Sequence, residues 1–459
     1  MDEDNNFQNI NNNQLSVIDE KPELTTLVAA TEIQNNNDSY ITIKILSKLS
    51  KGYTFFTVVK VISYSINETS FIFPYCLRKL GIIPFFFFLI IFSISSVYIF
   101  YLIIDIIVKH NLFNNYHKII QEKSNKIYNI IYYIINIIYN IIVLIFENYL
   151  YISLCQQIFS IFGINIDDNF YEKLIILSFS FIFIEFPLSS IKFFHRPDFL
   201  YIIILLLNII LNIISLILIF INKSKEDGIK ITKLNLIEGV SKDYLICFSI
   251  IMTVMGWQNQ ISKQLQSFKI KTSKRFYKVI YYFFIVQNIL IIFFCLVSTP
   301  LINSNDDFIF LLDIKNTNLS NIIIIQIMVI IFSLVIHIII AHHMQLIREN
   351  MLLILSLTIY KNDGDNFKIN IVFALFFNFF ILFITNIIAL FIDDISLIII
   401  LYGGIFSTII NYIIPTIMYW MMISKNSVVL WLAGLIDFVI ISLGISALVL
   451  KIISCFSGR

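Results

Sequence analysis

Long apolar stretches separated by short polar loops follow one another from about residue 53 to residue 452. A helix needs about 20 mostly apolar residues to cross the hydrocarbon core of a bilayer, and about eleven stretches meet that requirement. The pattern therefore predicts an all-α, polytopic membrane protein with about 11 transmembrane helices. The predicted spans lie near 53–76, 82–108, 126–161, 172–191, 199–221, 243–264, 275–299, 319–341, 368–391, 395–422 and 427–452. Residues 342–360 are predicted to lie at the membrane interface.

The first 50 residues differ from the rest of the chain because they are rich in Asn and contain few aromatic residues. Such a composition predicts a disordered tail at 1–50, ahead of a membrane domain at 51–459. The tail has no basic stretch followed by a short apolar core, so we expect no cleaved signal peptide.

Composition narrows the class of protein further. The chain is 58% hydrophobic and 14% charged, whereas soluble domains average roughly 45–50% apolar and about 25% charged residues, so a soluble protein is excluded. The net charge of +2 gives no basic field that would attract nucleic acid. Most Lys and Arg residues fall in loops that are cytosolic if the N-terminus is cytosolic, which is the orientation we predict. A plasma membrane and a vacuolar or lysosome-like membrane both suit the sequence.

Two predicted spans are interrupted by polar residues near their middle, at 63–70 in the first span and 256–260 in the sixth. These spans are five apart, which predicts two five-helix repeats, about 53–221 and about 243–422, followed by an extra helix at 427–452. In transporters with inverted repeats, such interrupted helices hold the substrate at the middle of the membrane. The alternative interpretation is that the Ser, Asn and Thr residues only hydrogen-bond neighbouring helices together.

The interruptions supply the predicted substrate-binding residues. They are Ser65, Asn67, Glu68, Thr69 and Ser70 in the first span and Met255, Gly256 and Trp257 in the sixth. Glu68 is also the predicted proton-coupling residue, because ionisable groups inside a membrane usually serve function. The alternative for Glu68 is an ion pair with Lys60, about two helical turns earlier. Trp257 could equally be an ordinary packing residue.

Other membrane acids are assigned structural roles. Asp105 and Glu185 lie near the predicted cytosolic ends of their spans, and we expect interfacial ion pairs with Lys109 and Lys192. Glu147, in the third span, could face the central cavity.

Catalytic patterns are weak in this sequence. Three His residues close in sequence, His337, His342 and His343, do not converge on a helix that turns 100° per residue. The chain also contains neither a nucleophile elbow nor a phosphate-binding loop. We therefore predict no catalytic, metal or cofactor site, and a protein that is not an enzyme.

Several short motifs resemble one transporter family. Phe73-Pro74-Tyr75-Cys76 followed by Gly81 is similar to its L-P-Y-A…G motif, and Pro187-Leu188 with Lys192 to the end of its fourth span. Further partial matches are Ile261–Leu265, Lys269–Arg275, Arg348, Gly403, Ser407, Thr408, Ile414-Pro415 and Tyr419. Together these motifs, over roughly residues 50–452, resemble the amino acid/auxin permease family of amino acid transporters.

The resemblance implies an amino acid transporter that works by alternating access. In that family a G-x-G pair in the first span receives the substrate carboxylate, and Asn67 and Thr69 stand at those positions here with Glu68 between them. Losing glycine hinders close approach to the backbone and adds a negative charge. We therefore expect proton coupling, as in a symporter, or facilitated diffusion. The alternatives are transport of another small cation, such as a polyamine, and a non-transporting amino acid sensor of the same fold.

Overall fold

The computed structural model divides the chain into Met1–Ser50 and Lys51–Arg459. The first unit, with the predicted tail, lies outside the residues that the structure describes. The described residues are 58–59, 61–63, 72–109, 124–162, 170–190, 202–203, 205–207, 209–210, 212–214, 216–217, 235–237, 243–256, 273–299, 323–360, 371–392, 395–423 and 428–457.

Ten main helices make up most of the described residues. They are α1 (Phe73–Leu80), α2 (Ile82–Lys109), α3 (Lys126–Ile161), α4 (Phe170–Ser190), α5 (Asp243–Met255), α6 (Ser273–Ser298), α7 (Ile323–Leu355), α8 (Ile371–Leu390), α9 (Ile395–Met422) and α10 (Val428–Ser457). Two of them contain wider π-helical turns, Phe181–Glu185 in α4 and both Ile400–Ser407 and Ile409–Ile413 in α9.

Eight of these helices, all except α1 and α5, are long and apolar enough to cross a membrane. No strand occurs among the residues listed above. The protein is therefore an all-α polytopic membrane protein, as the apolar pattern predicted. The other three predicted spans, 53–76, 199–221 and 243–264, lie partly outside the described residues.

The helices differ in how much of their surface is covered by protein. In α7 and α9, 67% of the most apolar 18-residue stretch is buried inside the protein. The corresponding share is 28% in α8 and 22% in α10. Large apolar side chains such as Phe376 and Trp431 are exposed on α8 and α10. Because exposed apolar faces of this kind suit lipid rather than water, α8 and α10 lie at the lipid-facing periphery and α7 and α9 at the centre.

The predicted boundary at residue 341 is wrong. α7 continues without a break to Leu355 and then through a π-helical turn, Ser356–Tyr360. His343, Met344 and Ile347 are buried. Residues 342–360 therefore continue the helix of the eighth span, and buried positions among them pack against neighbouring helices.

Two groups of helices can be distinguished by their packing. In the first group, α5 packs against α1 and α2, and α6 packs against the same two helices. In the second group, α3 packs along α7 and α8, and α4 contacts α7 and α8. α9 contacts both groups, through α5 and α2 on one side and α3 on the other.

Glycines allow α9 to approach its neighbours closely. A Cβ atom on Gly403 would lie 2.1 Å from the backbone oxygen of Ser249 in α5. A Cβ atom on Gly444 of α10 would lie 2.0 Å from the backbone oxygen of Gly404. Small residues at such crossings let helix backbones touch inside a membrane.

A sharp corner joins α1 to α2 at Gly81. This residue has φ 82° and ψ 171°, a conformation that residues with a Cβ atom rarely adopt. The backbone N–H groups of Ile82 and Ile83, at the start of α2, donate to the carbonyl oxygens of Asn235 and Leu236 at 3.1 and 3.0 Å. These bonds satisfy two of the four N–H groups that a helix N-terminus leaves without partners.

Candidate functional site in the middle of the bundle

The end of α5 is the most unusual feature of the described residues. α5 has 13 residues, so it is about 20 Å long, whereas the hydrocarbon core of a bilayer is about 30 Å thick. Every residue from Ile246 to Met255 is buried. Gly256, the first residue beyond the helix, is also buried and not helical. α5 therefore ends inside the protein.

Side chains from two other helices bind the carbonyl groups at this end, and a third helix binds one of those side chains. The Ser96 hydroxyl of α2 donates to the backbone oxygen of Met255 at 2.9 Å. The Gln287 amide of α6 donates to the backbone oxygen of Val254 at 3.3 Å. The hydroxyls of Ser96 and Tyr412 of α9 lie 2.5 Å apart. Because the Ser96 proton is used on Met255, the Tyr412 hydroxyl donates to Ser96.

Further polar groups surround these contacts. The Ser93 hydroxyl lies 2.8 Å from Oδ1 of Asn288, and Nδ2 of Asn411 donates to the Ser407 hydroxyl at 3.2 Å. A Cβ atom on Gly256 would meet Oγ of Ser407 at 2.2 Å and Nδ2 of Asn411 at 3.0 Å. The backbone at Gly256 therefore lies directly against the polar face of α9.

One polar atom at the site has no hydrogen-bond partner among the described residues. Gln287 is fully buried, and its Oε1 accepts no hydrogen bond there. A buried acceptor left without a partner costs about 1–3 kcal/mol. Buried unsatisfied groups that persist in a protein are expected to have a reason, such as a role in binding.

The site lies near the middle of the surrounding helices. Ser96 is close to the centre of α2, Gln287 to the centre of α6 and Tyr412 to the centre of α9. Each of these three helices is long enough to cross the membrane, and we take their midpoints as the level of its midplane. We name the end of α5 with these partners the midplane site. Its members are Ser93, Ser96, Met255, Gly256, Gln287, Asn288, Ser407, Asn411 and Tyr412.

The electrostatics of the midplane site are set by the end of α5. A helix C-terminus carries a partial negative charge, equivalent to roughly half an elementary charge. The side chains that contact it here, from Ser, Gln and Tyr, are neutral. The described part of the site is therefore suited to a solute with a positively charged group that can donate hydrogen bonds.

The structure describes only part of the site that the sequence predicted. Met255 and Gly256 lie at the end of α5. Trp257 and residues 64–70 of the polar stretch in the first span, with Ser65, Asn67, Glu68, Thr69 and Ser70, lie outside the described residues, as does Lys60. α1 begins at Phe73 and packs against α5.

Several residues of the midplane site were missed by the sequence interpretation. Ser93, Ser96, Gln287, Asn288 and Tyr412 stand singly or in pairs within otherwise apolar helices. The Gln287-Asn288 pair in the middle of the seventh span was a signal that could have been used, since adjacent amides inside a membrane need partners.

The predicted ion pair of Asp105 is present. Its carboxylate lies 3.1 Å from Nζ of Lys109, and the Tyr419 hydroxyl of α9 donates to the same oxygen at 3.2 Å. Lys192, the predicted partner of Glu185, lies outside the described residues. Glu185 is fully buried and is bonded to Ser180 and Asn386, because the π-helical turn in α4 directs it toward the protein interior.

Two other acids of the spans are also buried. Glu147, in α3, is fully buried, as expected of a residue that faces the interior. Asp437, in α10, is buried beside Thr416. The histidines of α7 face different partners: Nδ1 of His343 lies 2.7 Å from Oδ1 of Asn140, whereas His337 contacts Tyr151 and Glu185. Within the described ranges, no three His, Cys, Asp or Glu residues are grouped as metal ligands would be.

Comparisons with known proteins place this chain in no established family. No family model matches it, and no curated protein matches it. Among solved structures, it is similar to the manganese transporter of Eremococcus coleocola, solved in complex with an aromatic bis-isothiourea substituted compound. The identity is 12%, the alignment covers 91% of this chain and 96% of that one, and the TM-score is 0.43. A TM-score of this size assigns neither fold nor function.

Proposed function

We propose that the protein is a transmembrane transporter that moves amino acids by alternating access. The observation that carries the proposal is the end of α5 at Met255, buried at the level of the midpoints of α2, α6 and α9. Irregular backbone at membrane depth is tolerated only where protein or a water-filled cavity covers it, and transporters use such helix ends to hold their substrates.

The packing of the helices supports a fold of two five-helix inverted repeats. In such a fold, each helix has a counterpart five spans later. Four such pairs are in contact here: α1 with α5, α2 with α6, α3 with α7 and α4 with α8. The two helix groups are therefore each built from both halves of the chain. Movement of one group against the other around the midplane site would expose that site to each side of the membrane in turn.

The substrate class follows from the chemistry of the midplane site. The carbonyl end of α5 and its neutral hydrogen-bonding partners suit an ammonium group, which every amino acid carries. The proposal of an amino acid also rests on the resemblance of the sequence motifs given above. Another small cation, such as a polyamine, would satisfy the same carbonyl end and is the nearest alternative.

Glu68 remains the proposed coupling residue of the first span. It stands within the polar interruption and would be costly to keep charged in lipid, which favours a proton-carrying role. The cytosolic N-terminus is proposed on the distribution of Lys and Arg, and the protein would reside in the plasma membrane or a vacuolar or lysosome-like membrane.

Uptake of labelled amino acids by liposomes that contain the purified protein tests this function. We expect uptake of at least one amino acid, stimulated by an inward proton gradient and strongly reduced in Ser96→Ala. Gly434→Ala serves as a control, because a Cβ atom there meets nothing within 4 Å. Uptake of a polyamine and of no amino acid would identify the polyamine as the substrate. Binding of an amino acid without uptake, by folded protein, would indicate a sensor.

A further inference from the structure

A second buried polar cluster lies in the other helix group. Its centre is the carboxylate of Glu185 in α4, which is fully buried. The Ser180 hydroxyl donates to Oε1 of Glu185 at 2.6 Å, and Nδ2 of Asn386 in α8 donates to Oε2 at 3.0 Å. Both carboxylate oxygens therefore accept a hydrogen bond from a neutral donor, and neither donor supplies a charge.

The π-helical turn Phe181–Glu185 assembles this cluster. In a regular α-helix, residues five apart point about 140° away from each other. In this turn the backbone N–H of Phe186 donates to the oxygen of Phe181, five residues earlier, so the helix is wider. The wider turn brings Ser180 and Glu185 to the same side. Single π-helical turns within α-helices occur frequently at functional sites.

His337 of α7 is the basic partner of the cluster. Its Nδ1 lies 3.8 Å from Oε1 of Glu185 and 3.4 Å from the Ser180 hydroxyl. Its ring packs against the ring of Tyr151 in α3, with the two rings tilted by 60° and their centroids 4.2 Å apart. Ser180 thus lies between the carboxylate and the imidazole and can hydrogen-bond to both.

Among the described residues, few other titratable groups lie around the cluster. From α3 they are Tyr151 and Cys155, which lie beside each other, with Glu147 one turn before Tyr151. α8 contributes the uncharged Asn386, and the sequence of α8 contains no Asp, Glu, Lys, Arg or His. The pair of Glu185 and His337 therefore sets the charge of the cluster.

This pair is neutral only when it holds one proton. The proton lies either on the Glu185 carboxyl beside a neutral imidazole or on His337 beside a carboxylate. Removing the proton would leave an uncompensated negative charge in the membrane interior, which costs several kcal/mol. A second proton would leave an uncompensated positive charge at the same kind of cost.

We propose that Glu185 and His337 form a proton-binding site that couples proton movement to transport, a role that rests on the proposed function. When the protein opens to the acidic side, the carboxylate takes up one proton. The Ser180 hydroxyl can pass a proton to Nδ1 of His337 while it receives one from the carboxyl, which leaves Ser180 unchanged. When the protein opens to the other side, the proton leaves and the carboxylate is restored.

Infrared difference spectroscopy of the purified protein at varied pH tests proton binding without any transport. We expect the carbonyl band of a protonated carboxyl to change with pH in the wild type and to be missing in Glu185→Gln. Glu172→Gln makes the same substitution in the first turn of α4 and should retain the band. A band that persists unchanged in Glu185→Gln, or that never responds to pH in the wild type, would overturn the proposal.

A second variant protects this test against misfolding. If Glu185→Gln does not fold, His337→Gln removes the other proton acceptor and keeps a polar side chain. We expect it to change the pH range over which the carboxyl band appears. An identical pH range in His337→Gln and the wild type would contradict a shared proton.

Uptake into liposomes then tests the coupling. We expect the ratio of uptake with and without an inward proton gradient to fall to one in Glu185→Gln, whereas exchange without a gradient continues. If Glu68→Gln loses this stimulation and Glu185→Gln keeps it, coupling belongs to the first span and the proposal is overturned. Uptake driven by sodium and not by protons would also overturn it. Absence of all uptake would refute the proposed function and leave the infrared result to decide proton binding.

Discussion

Replacing Gly403 with Ala is expected to separate α5 from α9, the contact on which the midplane site depends. The new Cβ atom would lie 2.1 Å from the backbone oxygen of Ser249 and 1.9 Å from Oγ1 of Thr253. The Thr253 side chain can rotate, although its hydroxyl bond to Ser249, 2.9 Å long, would then be lost. The backbone oxygen cannot rotate away, so one helix must move.

The size of the effect follows from this geometry. Ordinary van der Waals contact begins at 3.4 Å, so the gap must widen from 2.1 to 3.4 Å, a movement of more than 1 Å. Overpacking of this kind typically costs about 1–3 kcal/mol, and losing the Thr253 hydrogen bond adds about 0.5–1.5 kcal/mol. The higher helix propensity of Ala offsets at most about 1 kcal/mol of this loss in the free energy of unfolding. We expect a net loss of about 1–3 kcal/mol.

Thermal unfolding of the purified variant in detergent measures this loss. Gly434→Ala, in α10, is the matched control, because no atom lies within 4 Å of the Cβ position there. It should leave the midpoint of unfolding unchanged or slightly raised, whereas Gly403→Ala should lower it clearly. Uptake should also fall in Gly403→Ala, because moving α5 disturbs the bond between Ser96 and Met255. Equal midpoints for the two variants would refute the close packing of α5 on α9.

Three other substitutions test separate parts of the structure. Ser96→Ala should cost about 1–3 kcal/mol in unfolding free energy, because it removes the hydrogen bonds to the Met255 oxygen and the Tyr412 hydroxyl; an unchanged unfolding midpoint would contradict these contacts. Gly81→Ala should cost about 1–3 kcal/mol through backbone strain at φ 82°, so an unchanged unfolding midpoint would refute that conformation. Asp437→Leu should raise the free energy of unfolding by about 1 kcal/mol or more, because Oδ1 of Asp437 has no hydrogen-bond partner among the described residues. A lower unfolding midpoint would show that this carboxyl makes a stabilising contact.

The sequence predicted the membrane class and most of the helices because both depend on local composition. Long runs of Ile, Leu and Phe predicted eight spans that the structure describes as helices long enough to cross a membrane. The eighth span was predicted to end at residue 341, because His342, His343 and Arg348 look polar in sequence, whereas His343 is buried by its neighbours and the helix continues to Leu355. Burial by distant helices is not visible in a single stretch of sequence.

The midplane site was only partly predictable for the same reason. The change in polarity after Met255 marked the end of α5, since a Gly followed by polar residues is rare within an apolar helix. The partners Ser96, Gln287 and Tyr412 come from three other helices, and only the fold brings them to one point. The burial of Glu185 was missed because a π-helical turn, which redirects its side chain, has no clear sequence signature.

An experimental structure in lipid nanodiscs, at a saturating concentration of a solute that the protein takes up, tests the central claim most directly. We predict that α5 ends at Met255 and that the solute contacts the end of α5, with Gln287 and Asn411 within hydrogen-bonding distance of it. A continuous helix through Gly256, or a solute bound far from the end of α5, would contradict the assignment of the midplane site.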